Sequence, residues 1–225
     1  MTDKVLCFDL GWTLEDETDS QNDRNSQIAA ICKKSNFEVS GNEIAKMQRI
    51  AGKTGIPSVH KFAVEHLGLP LEIVELIKKE TKWNTDCLKL YPDAIHTLEA
   101  LYKKYELLII ANQSRPIDAR LQAYGIRHFF TDVICSCDAG YNKPDIRIFE
   151  IAENKFKNKD VEFWMIGDRI DNDIVPAKVL GWKTIRILQG DHMDYAAQGA
   201  CETPDFTIRN LSEIIQIAEK RIAFG

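Results

Sequence analysis

The chain has 225 residues, 44% of them hydrophobic, and its 29 basic and 34 acidic side chains give a net charge of −5. This length and apolar content are sufficient for one substantial core with a smaller insertion. The weak acidity argues against a basic surface for nucleic acid or anionic membranes. No apolar run approaches the roughly 20 residues that span a bilayer, and no signal-peptide core precedes the first predicted strand. The sequence therefore predicts a cytoplasmic protein without a membrane or nucleic-acid partner.

The first predicted element is a short apolar strand from Val5 that ends at the carboxylate of Asp9. A buried strand of this kind delivers a nucleophile or a metal ligand to its C-terminal tip. The following segment, 15–89, has apolar residues at helical spacing and little strand signal. It predicts helices over 25–35, 42–51, 57–66 and 70–82. We interpret this segment as a small helical cap, an element that excludes water and selects substrate.

From residue 90 onward, strand and helix patterns alternate, which is typical of a parallel sheet with crossover helices. Strands are predicted over 105–112, 131–136 and 183–188, and a further apolar run from Phe163 ends in acid at Asp168. Helices are predicted over 93–105, 117–124, 145–156, 173–180 and 212–223. We therefore predict an α/β, Rossmann-like parallel sheet core formed by 1–14 and 90–225, with the cap inserted over 15–89. The long polar loop 190–204 is a candidate for contact with the site or with a partner.

Acidic side chains follow two of these strands. Asp9 ends the first, and Asp168 and Asp173 follow the run that begins at Phe163. Because the carboxyl ends of parallel strands share one edge of the sheet, these carboxylates are expected to meet there. Oxygen ligands in small number describe a Mg²⁺ site better than a Zn²⁺ site. The alternative is that the Gly-Asp and Asn-Asp pairs at these strand ends only form turns and cap the helix that follows each strand.

Two more strand ends carry polar groups in the same order along the chain. The strand over 105–112 ends at Ala111 and Asn112, and the loop after the strand over 131–136 contains Lys143 before Pro144 and Asp145. This succession of nucleophile candidate, small polar donor, lysine and acidic pair resembles the haloacid dehalogenase-like hydrolases. Most members of that family are Mg²⁺-dependent phosphatases that work through an aspartyl-phosphate.

The resemblance implies a role for each matching position. Asp9 matches the nucleophile of the family, and Lys143 matches the lysine that stabilises charge on the phosphate. Asp168 and Asp173 match the fourth, acidic motif of the family, which binds the metal. In full, the resemblance implies Asp9 and Lys143 as catalytic residues, Thr13, Ala111, Asn112 and Lys143 as substrate contacts, and Asp9, the carbonyl of Gly11, Asp168 and Asp173 as the Mg²⁺ site.

Two positions depart from the family pattern. Gly11 stands where the family usually has a second aspartate, a general acid/base of the kind that contributes about 10²–10⁴-fold to rate. Ala111 stands where the second motif usually has Ser or Thr, which removes one hydroxyl donor. In one explanation, Glu15 or Asp16 supplies the acid, or the leaving group needs no proton. In another, the protein is a phosphonate C–P hydrolase that forms an imine on a cap lysine, for which Lys53 is a candidate. In a third, it binds a phosphorylated ligand without turnover.

The cysteines and histidines add little to this assignment. Cys7 and Cys135 lie within apolar strands and are predicted to pack as small hydrophobic residues. The pair Cys135 and Cys137 has no second pair at zinc spacing, so we expect a structural role for it. None of the five histidines accompanies a nucleophile in a triad pattern. The sequence thus predicts a Mg²⁺-dependent phosphatase of a small phosphorylated metabolite, as a monomer or homodimer.

Overall fold

The computed structural model describes residues 3–114 and 116–222. Its main feature is a six-stranded sheet in which all neighbouring strands run parallel. The strands in chain order are β1 (Asp3–Phe8), β2 (Glu15–Asp16), β3 (Lys89–Leu90), β4 (Glu106–Ala111), β5 (Asp132–Cys135), β6 (Val161–Gly167), β7 (Lys183–Ile187) and β8 (Phe206–Ile208). The large sheet has the order β5-β4-β1-β6-β7-β8, and β2 and β3 form a separate two-stranded sheet. The predicted α/β parallel sheet is confirmed.

The helices are α1 (Thr18–Lys34), α2 (Gly41–Lys53), α3 (Val59–Glu65), α4 (Leu71–Glu80), α5 (Ala94–Leu101), α6 (Ile117–Ala123), α7 (Ser136–Ala139), α8 (Arg147–Lys155), α9 (Val175–Val179) and α10 (Glu213–Ile222). A π-helical turn, Ile170–Ile174, precedes α9. None of the helices within the described ranges combines the length and apolar character needed to cross a membrane.

Helices cover the large sheet on both faces. Successive side chains of a strand point to opposite faces, so Leu6 and Phe8 of β1 pack with residues of α5, α6 and α10. Val5 and Cys7 pack on the other face with residues of α8 and α9. Central strands buried on both faces read as continuous apolar runs, which explains why the sequence pattern identified them.

The chain divides into two compact units. The first comprises the chain up to Glu15, Leu90–Gln189 and the chain from Ala197 on, and it contains the large sheet. The second comprises Asp16–Lys89 together with Gly190–Ala196. The assignment of these units as catalytic core and cap stays a prediction.

The second unit has an apolar core built from α1 to α4, with Ile28, Ile44 and Ile77 fully enclosed. It also has a buried polar network, in which Gln48 accepts hydrogen bonds from Gln21 and Asn25, each at 2.9 Å. Gln21 donates in addition to Asp191 at 3.0 Å. A polar face of this kind is held by hydrogen bonds rather than by apolar contact. Because the first buried residues of α1 are polar, the sequence pattern did not indicate them. The helix begins at Thr18, seven residues before the predicted start.

Candidate active site

The sheet brings the ends of β1 and β6 together. These strands are adjacent and parallel, with Phe8 opposite Ile166, and the backbone N–H of Asp9 donates to the carbonyl of Ile166 at 2.8 Å. Asp9 and Asp168 each follow directly after their strand. The shared register therefore places the two carboxylates at the same edge of the sheet, as expected for parallel strands.

Three carboxylates, from Asp9, Asp168 and Asp173, each offer a ligand atom within 4.8 Å of the others. The Nζ of Lys143 lies 2.8 Å from Oδ1 of Asp9 and 2.6 Å from Oδ1 of Asp173. Asp168, Asp173 and Lys143 are buried, whereas the Asp9 side chain keeps 13% of its surface exposed. The structure thus brings together four of the predicted site residues, and Asp9 is the one that remains accessible.

Burial dominates the electrostatics of this cluster. It raises the pKa of Asp168 well above its ordinary value, and the charges of Asp173 and Asp9 raise it further. Burial also raises the pKa of Asp173 to about 6, although the ammonium of Lys143 works in the opposite direction. For Lys143 burial alone would lower the pKa, but the carboxylates of Asp173 and Asp9 outweigh it and raise the pKa. The lysine is therefore held in its charged form between two carboxylates.

The donor set of this cluster fits a hard divalent cation. Among the described residues, Oδ2 of Asp168 is buried without a hydrogen-bond partner. A buried carboxylate oxygen without a partner is costly unless a cation neutralises it. Asp173 differs, since its Oδ1 contacts Lys143 and its Oδ2 accepts from the backbone N–H of Arg169 at 3.0 Å. In this arrangement Asp168 is the available ligand and Asp173 holds the lysine.

Gly167, the last residue of β6, is required by the close approach of Asp173. A Cβ atom at this position would lie 2.4 Å from the Asp173 carboxyl group, closer than van der Waals contact allows. The absence of a side chain at Gly167 therefore lets Asp173 reach Lys143.

Asn112 lies after β4 and contacts the main chain of Lys143 rather than its ammonium. Its Nδ2 donates to the carbonyl of Lys143 at 2.9 Å, and its Oδ1 accepts from the N–H of Lys143 at 2.7 Å. Ala111 before it is fully buried at the end of β4. The predicted substrate contacts of Ala111 and Asn112 stay predictions. The described contacts make Asn112 a positioning residue for the lysine.

The loop after Asp9 turns sharply around the carbonyl of Leu10. This carbonyl accepts from the N–H groups of Leu14 at 2.9 Å and Glu15 at 2.8 Å, while Trp12 adopts a left-handed backbone conformation with φ of 54°. Thr13 is fully buried, and within the described part of the chain its hydroxyl has no hydrogen-bond partner. The predicted roles of Thr13 in substrate binding and of the Gly11 carbonyl in metal binding stay untested.

Glu15, one of the two proposed substitutes for the missing acid, lies in a buried ion pair. Its side chain is fully enclosed, and its Oε1 lies 2.8 Å from Nε of Arg120. Burial raises the pKa of Glu15, although the positive charge of Arg120 lowers it. Arg120 also donates to the side chain of Gln113 at 2.9 Å. Asp16, the other proposed substitute, accepts from the backbone N–H of Thr18 at 3.0 Å. Glu15 is thus paired with the guanidinium of Arg120, a contact that the sequence pattern did not reveal.

Sequence reasoning also missed Arg186 in β7. This side chain is buried, and its Nε donates to the carbonyl of Asp168 at 3.3 Å. The available signal was a charged residue between two isoleucines in the strand predicted over 183–188. Its position supports the backbone of Asp168, whose Oδ2 has no hydrogen-bond partner among the described residues.

A family comparison agrees with this geometry. The model of the family described as "Haloacid dehalogenase-like hydrolase" matches residues 6–187. The chain belongs to this family.

Individual relatives are similar over different shares of the chain. A glyceraldehyde 3-phosphate phosphatase from Methanocaldococcus jannaschii is 36% identical over 134 residues, which cover 59% of this chain and 58% of the relative. The matched stretch is thus less than two thirds of that protein. A phosphatase of the same name from Pyrococcus furiosus is 25% identical over 96% of this chain and 93% of its own length.

The fold is shared with solved structures. The HAD-hydrolase YfnB from Bacillus subtilis, solved with bound magnesium, superposes with a TM-score of 0.67 at 19% identity. The superposition covers 96% of this chain and 99% of that one. At this identity, the likeness shows the common fold.

Proposed function

We propose that this family member is a Mg²⁺-dependent phosphatase that hydrolyses a small phosphorylated metabolite through an aspartyl-phosphate. The observation that carries the proposal is the position of the Lys143 ammonium between Asp9 and Asp173, with the buried carboxylate of Asp168 at the same edge. The names of the relatives make glyceraldehyde 3-phosphate the first candidate substrate. A cytoplasmic location and a monomeric or homodimeric state stay predictions from sequence.

Asp9 is the proposed nucleophile because it is the exposed carboxylate of the cluster. Its attack on phosphorus forms an acyl phosphate and releases the alcohol, and water then cleaves the acyl phosphate to regenerate the carboxylate. Dividing hydrolysis into two displacements lowers the barrier of each. Oδ1 of Asp9, the oxygen that contacts Lys143, also accepts a hydrogen bond from the N–H of Leu10 at 2.7 Å.

Lys143 is the proposed charge stabiliser. Its ammonium already neutralises part of the charge of Asp9, which reduces the repulsion between this carboxylate and an incoming phosphate dianion. The same positive charge then stabilises the negative charge on the phosphoryl oxygens. Asp173 and the main-chain contacts from Asn112 keep the ammonium in place.

Asp9, Asp168 and the carbonyl of Gly11 are the proposed Mg²⁺ ligands, with Asp173 in support. The unpartnered Oδ2 of Asp168 supports this assignment. When bound, the cation would screen the charges of nucleophile and phosphate from each other. Protein residues alone provide the covalent chemistry.

Departure of the alcohol is the step for which this chain lacks the usual acid. Glu15 is enclosed and paired with Arg120, so we expect slower turnover for the alcohol leaving group of glyceraldehyde 3-phosphate than for a leaving group that needs no proton. The alternative C–P hydrolase requires an imine-forming lysine, and its candidate Lys53 is an exposed residue at the end of α2. Within the described part of the chain, no side-chain contact of Lys53 favours this reaction.

The test is release of inorganic phosphate from glyceraldehyde 3-phosphate, phosphoglycolate, phosphoserine and para-nitrophenyl phosphate, with Mg²⁺ or with EDTA. We expect Mg²⁺-dependent turnover that Asp9→Asn abolishes. The matched control is Asp118→Asn, which removes an exposed carboxylate on α6 and should leave turnover unchanged. Absence of turnover on every substrate, with phosphate still bound, would instead support a ligand-binding protein.

A further inference from the structure

Two cysteines lie beside the proposed site without a role in its chemistry. Cys135 ends β5, and Cys137 lies in α7 directly after it. Their Sγ atoms are in bonding contact, and their Cα atoms are 5.3 Å apart, within the range of disulfides. Cys135 is buried with 1% of its surface exposed, whereas Cys137 is partly exposed. One sulfur is therefore accessible to a reagent and the other lies behind it.

The buried sulfur contacts the loop that follows β4. Cys135 Sγ lies 3.0 Å from the carbonyl oxygen of Gln113, to which a thiol donates, and the Ser136 hydroxyl donates to the same oxygen at 3.4 Å. Gln113 follows Asn112, whose side chain holds the main chain of Lys143. The oxidation state of Cys135 therefore changes a hydrogen bond one residue from this contact.

We propose that Cys135 and Cys137 are a reversible thiol–disulfide pair that exchanges with small-molecule disulfides and controls the mobility of 112–114. The Cys137 thiolate attacks one sulfur of the reagent and releases its first thiol. The Cys135 thiolate then attacks Cys137 and releases the second thiol. Two cysteine S–H bonds and the reagent S–S bond are replaced by one protein S–S bond and two S–H bonds of the released thiols, so electrons and protons balance.

Oxidation removes a hydrogen-bond donor from the loop. In the dithiol, Cys135 and Ser136 both donate to the Gln113 carbonyl, whereas in the disulfide only the longer Ser136 contact remains among the described donors. Loss of one such hydrogen bond corresponds to faster local opening by about two- to tenfold. The backbone amides of 112–114 should therefore exchange with deuterium faster in the oxidised protein.

A metal site is the competing use of this pair. A carboxylate oxygen of Asp138 lies within 4.8 Å of both sulfurs, which provides three ligand atoms. A structural zinc site uses four protein ligands, and within the described ranges no further His, Cys, Asp or Glu joins this group. The geometry favours the disulfide, and the experiment separates the two.

The experiment begins with the full chain reduced and freed of metal by a chelator. It is then incubated with oxidised glutathione, alkylated and analysed by mass spectrometry, while a parallel sample is followed by hydrogen–deuterium exchange. We expect the fragment with Cys135 and Cys137 to lose two hydrogens, to resist alkylation and to revert with dithiothreitol. Exchange at 112–114 should rise about two- to tenfold. Neither readout requires phosphatase activity, so failure here is distinct from failure of the proposed function.

Two variants serve as comparison. Cys201→Ser removes an exposed free cysteine and should behave as wild type, whereas Cys137→Ser should lose both the cross-link and the change in exchange. The proposal is overturned if both cysteines are still alkylated when the reagent is added after oxidised glutathione, or if a stable mixed disulfide persists on Cys137. It is also overturned if exchange at 112–114 is unchanged by cross-linking, or if added zinc binds one to one and prevents oxidation at the glutathione concentration used.

Discussion

The side chain of Asn112 and the main chain of Lys143 form two hydrogen bonds with each other, at 2.9 and 2.7 Å. An amide can donate and accept at once, so it holds both polar groups of one peptide residue. Through this pair, the end of β4 fixes the loop that carries the lysine ammonium. The position of that ammonium therefore depends on a side chain that does not touch it.

Replacement of Asn112 by alanine tests this relationship. We expect Asn112→Ala to lower kcat about tenfold or more, because Lys143 loses its fixed position relative to Asp9. Loss of the two hydrogen bonds should lower the free energy of unfolding by about 1–3 kcal/mol. Phosphate release and urea unfolding measure the two effects. The control is Asn142→Ala, which truncates an exposed asparagine next to the lysine; an equal loss of kcat in this variant would contradict the positioning role.

Restoring the missing acid provides a second prediction, which rests on the proposed function. Gly11→Asp should raise turnover of an alkyl phosphate by up to about 10²–10⁴-fold, because a carboxylic acid can then protonate the leaving oxygen. Turnover of para-nitrophenyl phosphate should change far less, since its leaving group needs no proton. Gly11→Asn supplies the same shape without an acid. Equal kcat values for the Asp and Asn variants would show that the acid is not what limits this protein.

The proposed Mg²⁺ site can be tested without turnover by thermal unfolding. Mg²⁺ at one hundred times its Kd should stabilise the wild type by about 2.7 kcal/mol. For a chain of this size that corresponds to a rise in Tm of about 5–10 °C. Asp168→Asn should abolish the rise, because it removes the charge of a buried carboxylate whose Oδ2 has no hydrogen-bond partner among the described residues. Without Mg²⁺ this variant should be more stable than the wild type, since it removes a buried charge near Asp9 and Asp173.

Asp171→Asn is the matched control for that measurement. Asp171 lies three residues further along, is substantially exposed and pairs with Arg169. Its replacement should leave the Mg²⁺ response of Tm intact. If both variants lost the response to the same extent, the loop as a whole rather than the Asp168 carboxylate would control metal binding.

His60, in the second unit, predicts a loss of stability in acid. Burial lowers the pKa of His60 to about 4, with a smaller contribution from the charge of Arg24. Its Nδ1 also lies 2.7 Å from the amide nitrogen of Gln48, which fits a neutral ring that accepts. Because the folded state binds this proton less readily than the unfolded state, the stabilisation is complete above about pH 6.5 and is lost as pH falls towards 4. The difference amounts to about 2–3 kcal/mol.

The measurement is the free energy of unfolding in urea at a series of pH values. Asp168 and Asp173 have raised pKa values and act in the opposite direction, so the comparison must be with His60→Gln rather than with pH alone. The wild type should lose more stability between pH 6.5 and 4 than the variant does. Parallel curves for the two proteins would show that His60 does not titrate in this range.

The strands were predictable because parallel central strands are buried on both faces and read as apolar runs. The cluster was predictable because Asp9 and Asp168 directly follow strands that end at one edge, and Lys143 and Asp173 lie in the segments after β5 and β6. The start of α1 was not predictable, since its buried face contains Gln21 and Asn25 rather than apolar residues. Hydrogen bonds between distant residues hold that face, and the spacing of apolar residues in the sequence does not reveal such bonds.

Contacts in the site between residues far apart in the chain could not be predicted from the sequence either. The ion pair of Glu15 with Arg120 joins positions far apart in the chain, so a local pattern shows an acid near the nucleophile and nothing of its partner. The same holds for Asn112, which the family resemblance assigns to substrate. Its contacts with Lys143 emerge only once β4 and β5 are paired.

The second unit is assembled from two separate pieces of chain. Gly190–Ala196 belongs to it as well as Asp16–Lys89, and the two approach so closely that a Cβ atom at Gly52 would lie 1.9 Å from the carbonyl oxygen of Asp191. A chimaera that exchanges only Asp16–Lys89 with a relative would therefore separate Gln21 from its carboxylate partner Asp191. It would also place a foreign residue opposite the Asp191 backbone. Exchange of the second unit between family members consequently requires both pieces to be transplanted together, with glycine retained at position 52.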